Sequence, residues 1–136
     1  MDYFLEFHWW YLLVVFFLFI FFGKGKGGVV VKRFTAKMEI FDQRFEECRP
    51  EVTYTIFKKG NPDHIEIELE NLFLEVDEEL KFHINGKLLA IVKVEQDREA
   101  EFDHWSDDGV NFPVIKGGEE LVVKYQNIDV LKGTFV

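Results

Sequence analysis

The sequence has no second cysteine: Cys48 stands alone among 136 residues. That leaves no disulfide within the chain and sets it apart from small domains of this size that carry paired cysteines. No H-x-x-x-H or C-x-x-C spacing occurs among His8, His64, His83, His104 and Cys48, so a structural zinc site is not expected. No G-x-S-x-G surrounds Ser106, and His104, two residues before it on a strand-like stretch, points the same way without bonding to it. The glycine-rich "GKGKGG" of residues 23–28 lacks the G-x-x-x-x-G-K-[ST] spacing of a phosphate loop. Cys48 follows two acids in "EECRP", which raise a thiol pKa and argue against a nucleophile. With no catalytic constellation left, the chain reads as something other than an enzyme.

Lys and Arg are also missing before Lys24, and charge of either sign is missing from Trp9 to Phe22. Those fourteen residues would span about 21 Å as a helix. A bilayer core is about 30 Å thick and needs about 20 residues. Extending the helix back to Tyr3 reaches that length and places Glu6 and His8 near the headgroups. Tyr3, Trp9, Trp10 and Tyr11 then form an aromatic interface belt, and Phe16, Phe17, Phe19, Phe21 and Phe22 face lipid or neighbouring helices. The pattern predicts a transmembrane helix over Tyr3–Phe22, within a first region of residues 1–22. The acidic start (Asp2, Glu6) and the absence of an A-x-A-like site argue against a cleaved signal peptide. The absence of a polar face argues against a helix lying on the membrane surface. Lys24, Lys26, Lys32 and Arg33 follow the run. By the positive-inside rule they place the amino terminus outside and the rest in the cytoplasm, a periplasmic domain being the other orientation. Residues 23–28 read as a tether and residues 29–136 as one domain.

After residue 28 there is no helical stripe, and the period is two. Phe34, Ala36, Met38 and Ile40 alternate with polar residues, as do Val52, Tyr54 and Ile56. In "HIEIELE" Ile65, Ile67 and Leu69 face one way and three glutamates the other. Leu80, Phe82 and Ile84 lead into Asn85-Gly86, a strong hairpin signal, and Leu89 to Val94 returns. Ala100, Phe102 and His104, then "LVVKY" and "LKGTFV", complete the set. Seven or eight short strands predict an antiparallel β-sandwich, with a small β-barrel as the other arrangement. The net charge is -9, and residues 1–28 carry two acids and two lysines, so the whole excess sits on the domain. Nucleic acid would repel such a domain, whereas basic protein surfaces are natural partners.

"KRFTAKMEI", "IEIELENLFL", "LKFHINGKLLAIVKV", "EAEFD", "VNFPVIKGGEELVV" and "LKGTF" together resemble a β-rich module found in assorted bacterial proteins. The likeness covers roughly Val31 to Val136 and implies a β fold with no known catalytic role. Gly117-Gly118-Glu119 stands where such modules often show Gly-Asp. One amino-terminal helix with a cytoplasmic β-rich domain is similar to the H subunit of purple bacterial photosynthetic reaction centres. That likeness implies a non-catalytic accessory subunit of a complex in the bacterial inner membrane, with other transmembrane subunits and the lipid bilayer as partners. His8 beside Trp9 and Trp10 resembles the antenna polypeptides of photosynthetic bacteria, implying contact with bacteriochlorophyll, carotenoid or lipid but no cofactor of the chain's own. A second functional reading is a free-standing, membrane-tethered sandwich that recruits a basic protein. In "DHWSDDG", Asp103, Asp107 and Asp108 could offer hard oxygens to calcium, though the spacing is not that of an EF-hand and Asp-Asp-Gly is ordinary turn chemistry.

Overall fold

The computed structural model describes residues 27–136. Nine strands follow one another: β1 Val30–Thr35, β2 Glu39–Ile40, β3 Arg49–Phe57, β4 His64–Glu70, β5 Glu79–Ile84, β6 Lys87–Lys93, β7 Ala100–Trp105, β8 Glu120–Tyr125 and β9 Ile128–Thr134. They form two antiparallel sheets, one ordered β1-β3-β4-β7 and the other β2-β9-β8-β5-β6. The architecture is therefore a sandwich rather than a barrel. The strands exceed the expected seven or eight because the alternating run through Phe34 and Ile40 is two strands in different sheets.

The period-two pattern explains which residues meet between the sheets. Ile65, Ile67 and Leu69 of β4 are fully buried, as are Leu80 and Phe82 of β5 and Leu121 and Val123 of β8. Full burial of each such side chain contributes about 1.5–3 kcal/mol. Asn85 and Gly86 both take positive φ, 49° and 79°, the geometry of the two-residue turn expected between β5 and β6. Gln126 and Asn127, at φ 51° and 63°, make an equivalent turn between β8 and β9 without a glycine.

The end of β1 and the residues after β9 pin the two sheets together. Thr35 of β1 and Val136 exchange backbone hydrogen bonds of 3.1 and 2.9 Å, and Ala36 bridges Phe135. Phe135 is fully buried, so the Gly-Thr-Phe ending supplies a core side chain at the point where the chain crosses between sheets. Gly133 makes that crossing fit. A Cβ there would lie 2.5 Å from Met38 Sδ and 2.7 Å from the Lys37 carbonyl oxygen.

The expected transmembrane helix is corrected. Among the described residues no helix is long and apolar enough to cross a membrane. The helical element there is a single 3₁₀ turn, Gln43–Phe45, because the apolar residues of this region alternate and are committed to strand faces. The stretch on which the helix was placed, with Tyr3, His8, Trp9, Trp10, Tyr11, Phe16, Phe17, Phe19, Phe21, Phe22, Lys24 and Lys26, lies outside the described residues. The single-pass inner-membrane location, in either orientation, finds no support among the described residues. Neither does the photosynthetic reaction-centre role, which depended on the same architecture. Lys32 and Arg33, read as topology signals, belong to β1, where Lys32 Nζ lies 4.8 Å from the Phe34 ring centre.

Gly133→Ala should force Met38 and the Lys37 carbonyl apart and cost about 1–3 kcal/mol. Urea unfolding would read it as a lower midpoint at unchanged slope, and an unchanged midpoint would refute the close approach.

Candidate functional site: an acidic sheet face

β4 has β3 on one side and β7 on the other. Its inward residues are isoleucines and leucine, so His64, Glu66, Glu68 and Glu70 face outward. Register then decides their neighbours. Glu51 of β3 and Glu101 of β7 both lie opposite Glu68. Thr53 and Asp103 lie opposite Glu66, and Arg49 lies opposite Glu70. Glu99, just before β7, joins Glu68 and Glu70, the three carboxylates coming within 4.8 Å of one another. Glu51, Glu66 and Glu68 form a second such group. One open sheet face thus carries seven acids, Glu51, Glu66, Glu68, Glu70, Glu99, Glu101 and Asp103.

Like charges directly opposite one another on a sheet are destabilising, and the titration of the face reflects it. Glu68 is pushed up from 4.5 to about 7, by partial burial first, then by a hydrogen bond with Glu70 and the charges of Glu70, Glu101 and Glu66. Glu99 and Glu101 are also raised, by desolvation and then by neighbouring acids. Asp103 has a different neighbour. His64 Nε2 lies 2.5 Å from its Oδ1, and the His64 ring packs on Trp105 with centres 4.4 Å apart. This pair closes one end of the face.

Either group of three carboxylates offers hard oxygens of the kind calcium takes, but from a flat ladder whose neighbouring backbone carbonyls serve strand pairing. The sequence pointed elsewhere, to Asp103, Asp107 and Asp108. Among the described residues these three are not a group whose carboxylates converge. Asp103 faces His64, while Asp108 accepts a 2.8 Å hydrogen bond from the Trp105 N–H and lies 3.4 Å from His104 Nδ1. The loop is a turn held by its own acid.

The other chemistry-bearing residues have structural positions. Ser106 Oγ accepts from the Asp63 N–H at 2.9 Å, and His104 faces Asp108, so the two are engaged separately. The Tyr54 hydroxyl donates to Asp63 at 2.9 Å and approaches the Pro113 carbonyl at 3.2 Å. That tie straps the long β7–β8 loop over the sandwich. Glu119 accepts from the N–H groups of Lys116 and Gly117, each at 2.8 Å. Partial burial works to raise its pKa, but these backbone donors prevail and hold it below the ordinary range. The departure from a Gly-Asp pattern therefore has a local role, a carboxylate closing the Gly117-Gly118 turn. His83 lies on the outer face of β5 with Nδ1 shielded and, among the described residues, without a hydrogen-bond partner.

No protein-family model matches the sequence, and the search of curated proteins finds no match. The likenesses to the β-rich module and to the H subunit accordingly have only the sequence behind them. Sequence reasoning found the three outward glutamates of β4 but did not join them to Glu51 and Glu101. Reading "EAEFD" with period two would have set Glu99, Glu101 and Asp103 on one face. The pairing of β7 with β4 has no local signal.

Two measurements check this description. A carboxyl whose folded pKa exceeds its unfolded one stabilises the fold while protonated, fully below 4.5, and the contribution is lost as pH rises through about 7. Urea stability is expected to fall between about pH 5 and about pH 8, and Glu68→Gln should flatten that fall. An unchanged slope in the variant would show Glu68 titrating normally. Separately, burial pushes the Cys48 thiol up to about 11. Iodoacetamide near neutral pH should label it only in urea-unfolded chain, and rapid labelling of the folded chain would contradict its burial.

Proposed function

We propose that the chain is a non-catalytic binding module whose acidic face docks a lysine- and arginine-rich surface of a partner protein. In such a role it would serve as an accessory part of a larger assembly. The observation that carries this reading is the row Glu51–Glu68–Glu101, three acids in register across three strands. Such a row costs stability in the isolated chain and gains from a cationic partner, which removes the repulsion as it binds. The face is rigid because every member sits on a paired strand or beside one.

The outward charge of the domain supports the same partner chemistry. Anionic nucleic acid and anionic headgroups are repelled by it. Basic protein surfaces are steered toward it, faster at low salt.

Calorimetric titration of the full-length chain with an oligolysine peptide tests the reading. Binding should weaken at least about tenfold, or about 1.4 kcal/mol, in the Glu66→Gln/Glu68→Gln/Glu101→Gln variant. It should also weaken on raising salt from about 0.05 M to about 0.5 M. Equal affinity of variant and parent would place binding elsewhere and end the proposal.

A further inference from the structure

β7 is the outer strand of the four-stranded sheet, beyond β4, and the ladder decides which of its backbone groups are used. The Ser106 N–H donates to the Asp63 carbonyl at 2.8 Å, one step beyond the pairing of Trp105 with His64. In an antiparallel pair, residues that exchange hydrogen bonds alternate with residues that do not. Counting back from Ser106, His104, Phe102 and Ala100 turn their N–H and C=O groups toward β4, whereas Trp105, Asp103 and Glu101 turn theirs away. Both ends of this outward row are closed. The Asp108 carboxylate accepts from the Trp105 N–H at 2.8 Å, and the Asp108 N–H donates to the Trp105 carbonyl at 3.0 Å. The Glu99 carbonyl accepts from the Glu95 N–H at 2.8 Å. Between these caps the outward N–H and C=O groups of Glu101 and Asp103 have no hydrogen-bond partner among the described residues.

The edge of the other sheet on this side is covered differently: Asn111 Nδ2 donates to the Leu88 and Leu89 carbonyls of β6 at 3.2 and 3.1 Å. The open step on β7 instead belongs to two exposed acids of the candidate site. We propose that the partner's basic segment binds as an extended strand, added antiparallel to β7 at Glu101 and Asp103, with lysine or arginine at alternate positions. This rests on the binding reading above and states the form in which the cationic partner arrives. An unpaired strand edge is a template for another chain. Main-chain hydrogen bonds then give affinity, and alternate side chains give specificity. A strand beside β7 sits about 4.8 Å away, and the side chain directly opposite Glu101 points to the same face. A basic residue there continues the row Glu51–Glu68–Glu101 with a fourth member of opposite sign, an arrangement that stabilises a ladder. Asp103 already faces His64, so Glu101 is the main charge contact.

Charged side chains on an edge ordinarily deter pairing. On β7 the deterrent has one sign, so it rejects acidic strands while a basic strand gains from it. Side chains between the basic ones point to the inner side, toward the seam with β6, whose Ala90 and Val92 are half-buried against the core. Apolar residues suit those positions, and alternation of basic with apolar residues is the occupant's signature.

Calorimetry of the full-length chain with a short peptide of alternating lysine and valine tests this, with oligolysine run in parallel. In the antiparallel ladder a lysine opposite Glu101 exchanges both of its backbone hydrogen bonds with Glu101. Methylating the backbone nitrogens of the peptide's lysines should therefore weaken binding at least about tenfold. Methylating the valine nitrogens, which face away from β7, should leave affinity within about threefold. Amide hydrogen exchange at Glu101 and Asp103 should slow at least about tenfold in the complex. Equal affinities of the two methylated peptides, or unslowed exchange at both amides, would refute the added strand. Oligolysine binding that the Glu66→Gln/Glu68→Gln/Glu101→Gln variant loses would then leave the acidic-face reading standing. If neither peptide binds, both are refuted.

Discussion

The antiparallel register that holds β4 between β3 and β7 is the constraint on which the core and the charged face both depend. A shift of one residue would turn Ile65, Ile67 and Leu69 to water and drive Glu66, Glu68 and Glu70 into the sandwich. Burying the three apolar chains contributes about 1.5–3 kcal/mol each. The cross-strand repulsion among the glutamates costs about 0.2–1 kcal/mol per pair. The core term is the larger, so the register is set from inside and the acids are held together by a force that does not act on them. Their crowding is the electrostatic consequence of good packing beneath, and it adds to partial burial, the larger cause, in raising the Glu68 pKa.

Loops and the residues after β9 serve the same frame. Tyr54 reaches from β3 to the Asp63 carboxylate and the Pro113 carbonyl, fixing the long connection that follows β7. Phe135 fills the seam between sheets while Gly133 lets the Lys37–Met38 backbone pass close by. Glu119 holds the Gly117-Gly118 turn that feeds β8. These are short-range fixtures, and each keeps a strand end from fraying where a face would otherwise lose its alignment.

Local pattern made part of this legible. "HIEIELE" announces its inward and outward residues because a strand has period two, and Asn85-Gly86 announces a turn because both positions need positive φ. Long-range pairing has no such mark. That Glu51 and Glu101 both lie beside Glu68 follows from strand order, which no local run encodes. The break at Ala36 was hidden because alternation continues across a strand that changes sheets. Gln126-Asn127 was missed because its turn uses asparagine's tolerance of positive φ in place of glycine's. The transmembrane helix was inferred from hydropathy in a stretch outside the described residues, and the residues that are described hold no helix able to span a bilayer. The aspartates of "DHWSDDG" drew attention as cation ligands because spacing says nothing of direction. Folded, Asp108 turns back to its own backbone and Asp103 turns to His64.

A sheet face and a catalytic cleft ask opposite things of their residues. A cleft needs different groups converging on one point, and strands deliver that only at their ends or at bulges. A flat ladder instead repeats one chemistry over an area, as β3, β4 and β7 do with carboxylates. Such repetition is weakly selective for a small ligand, whose few charges can satisfy only part of it. It favours a partner that also repeats its charge at strand spacing, about 4.7–4.9 Å between neighbouring strands.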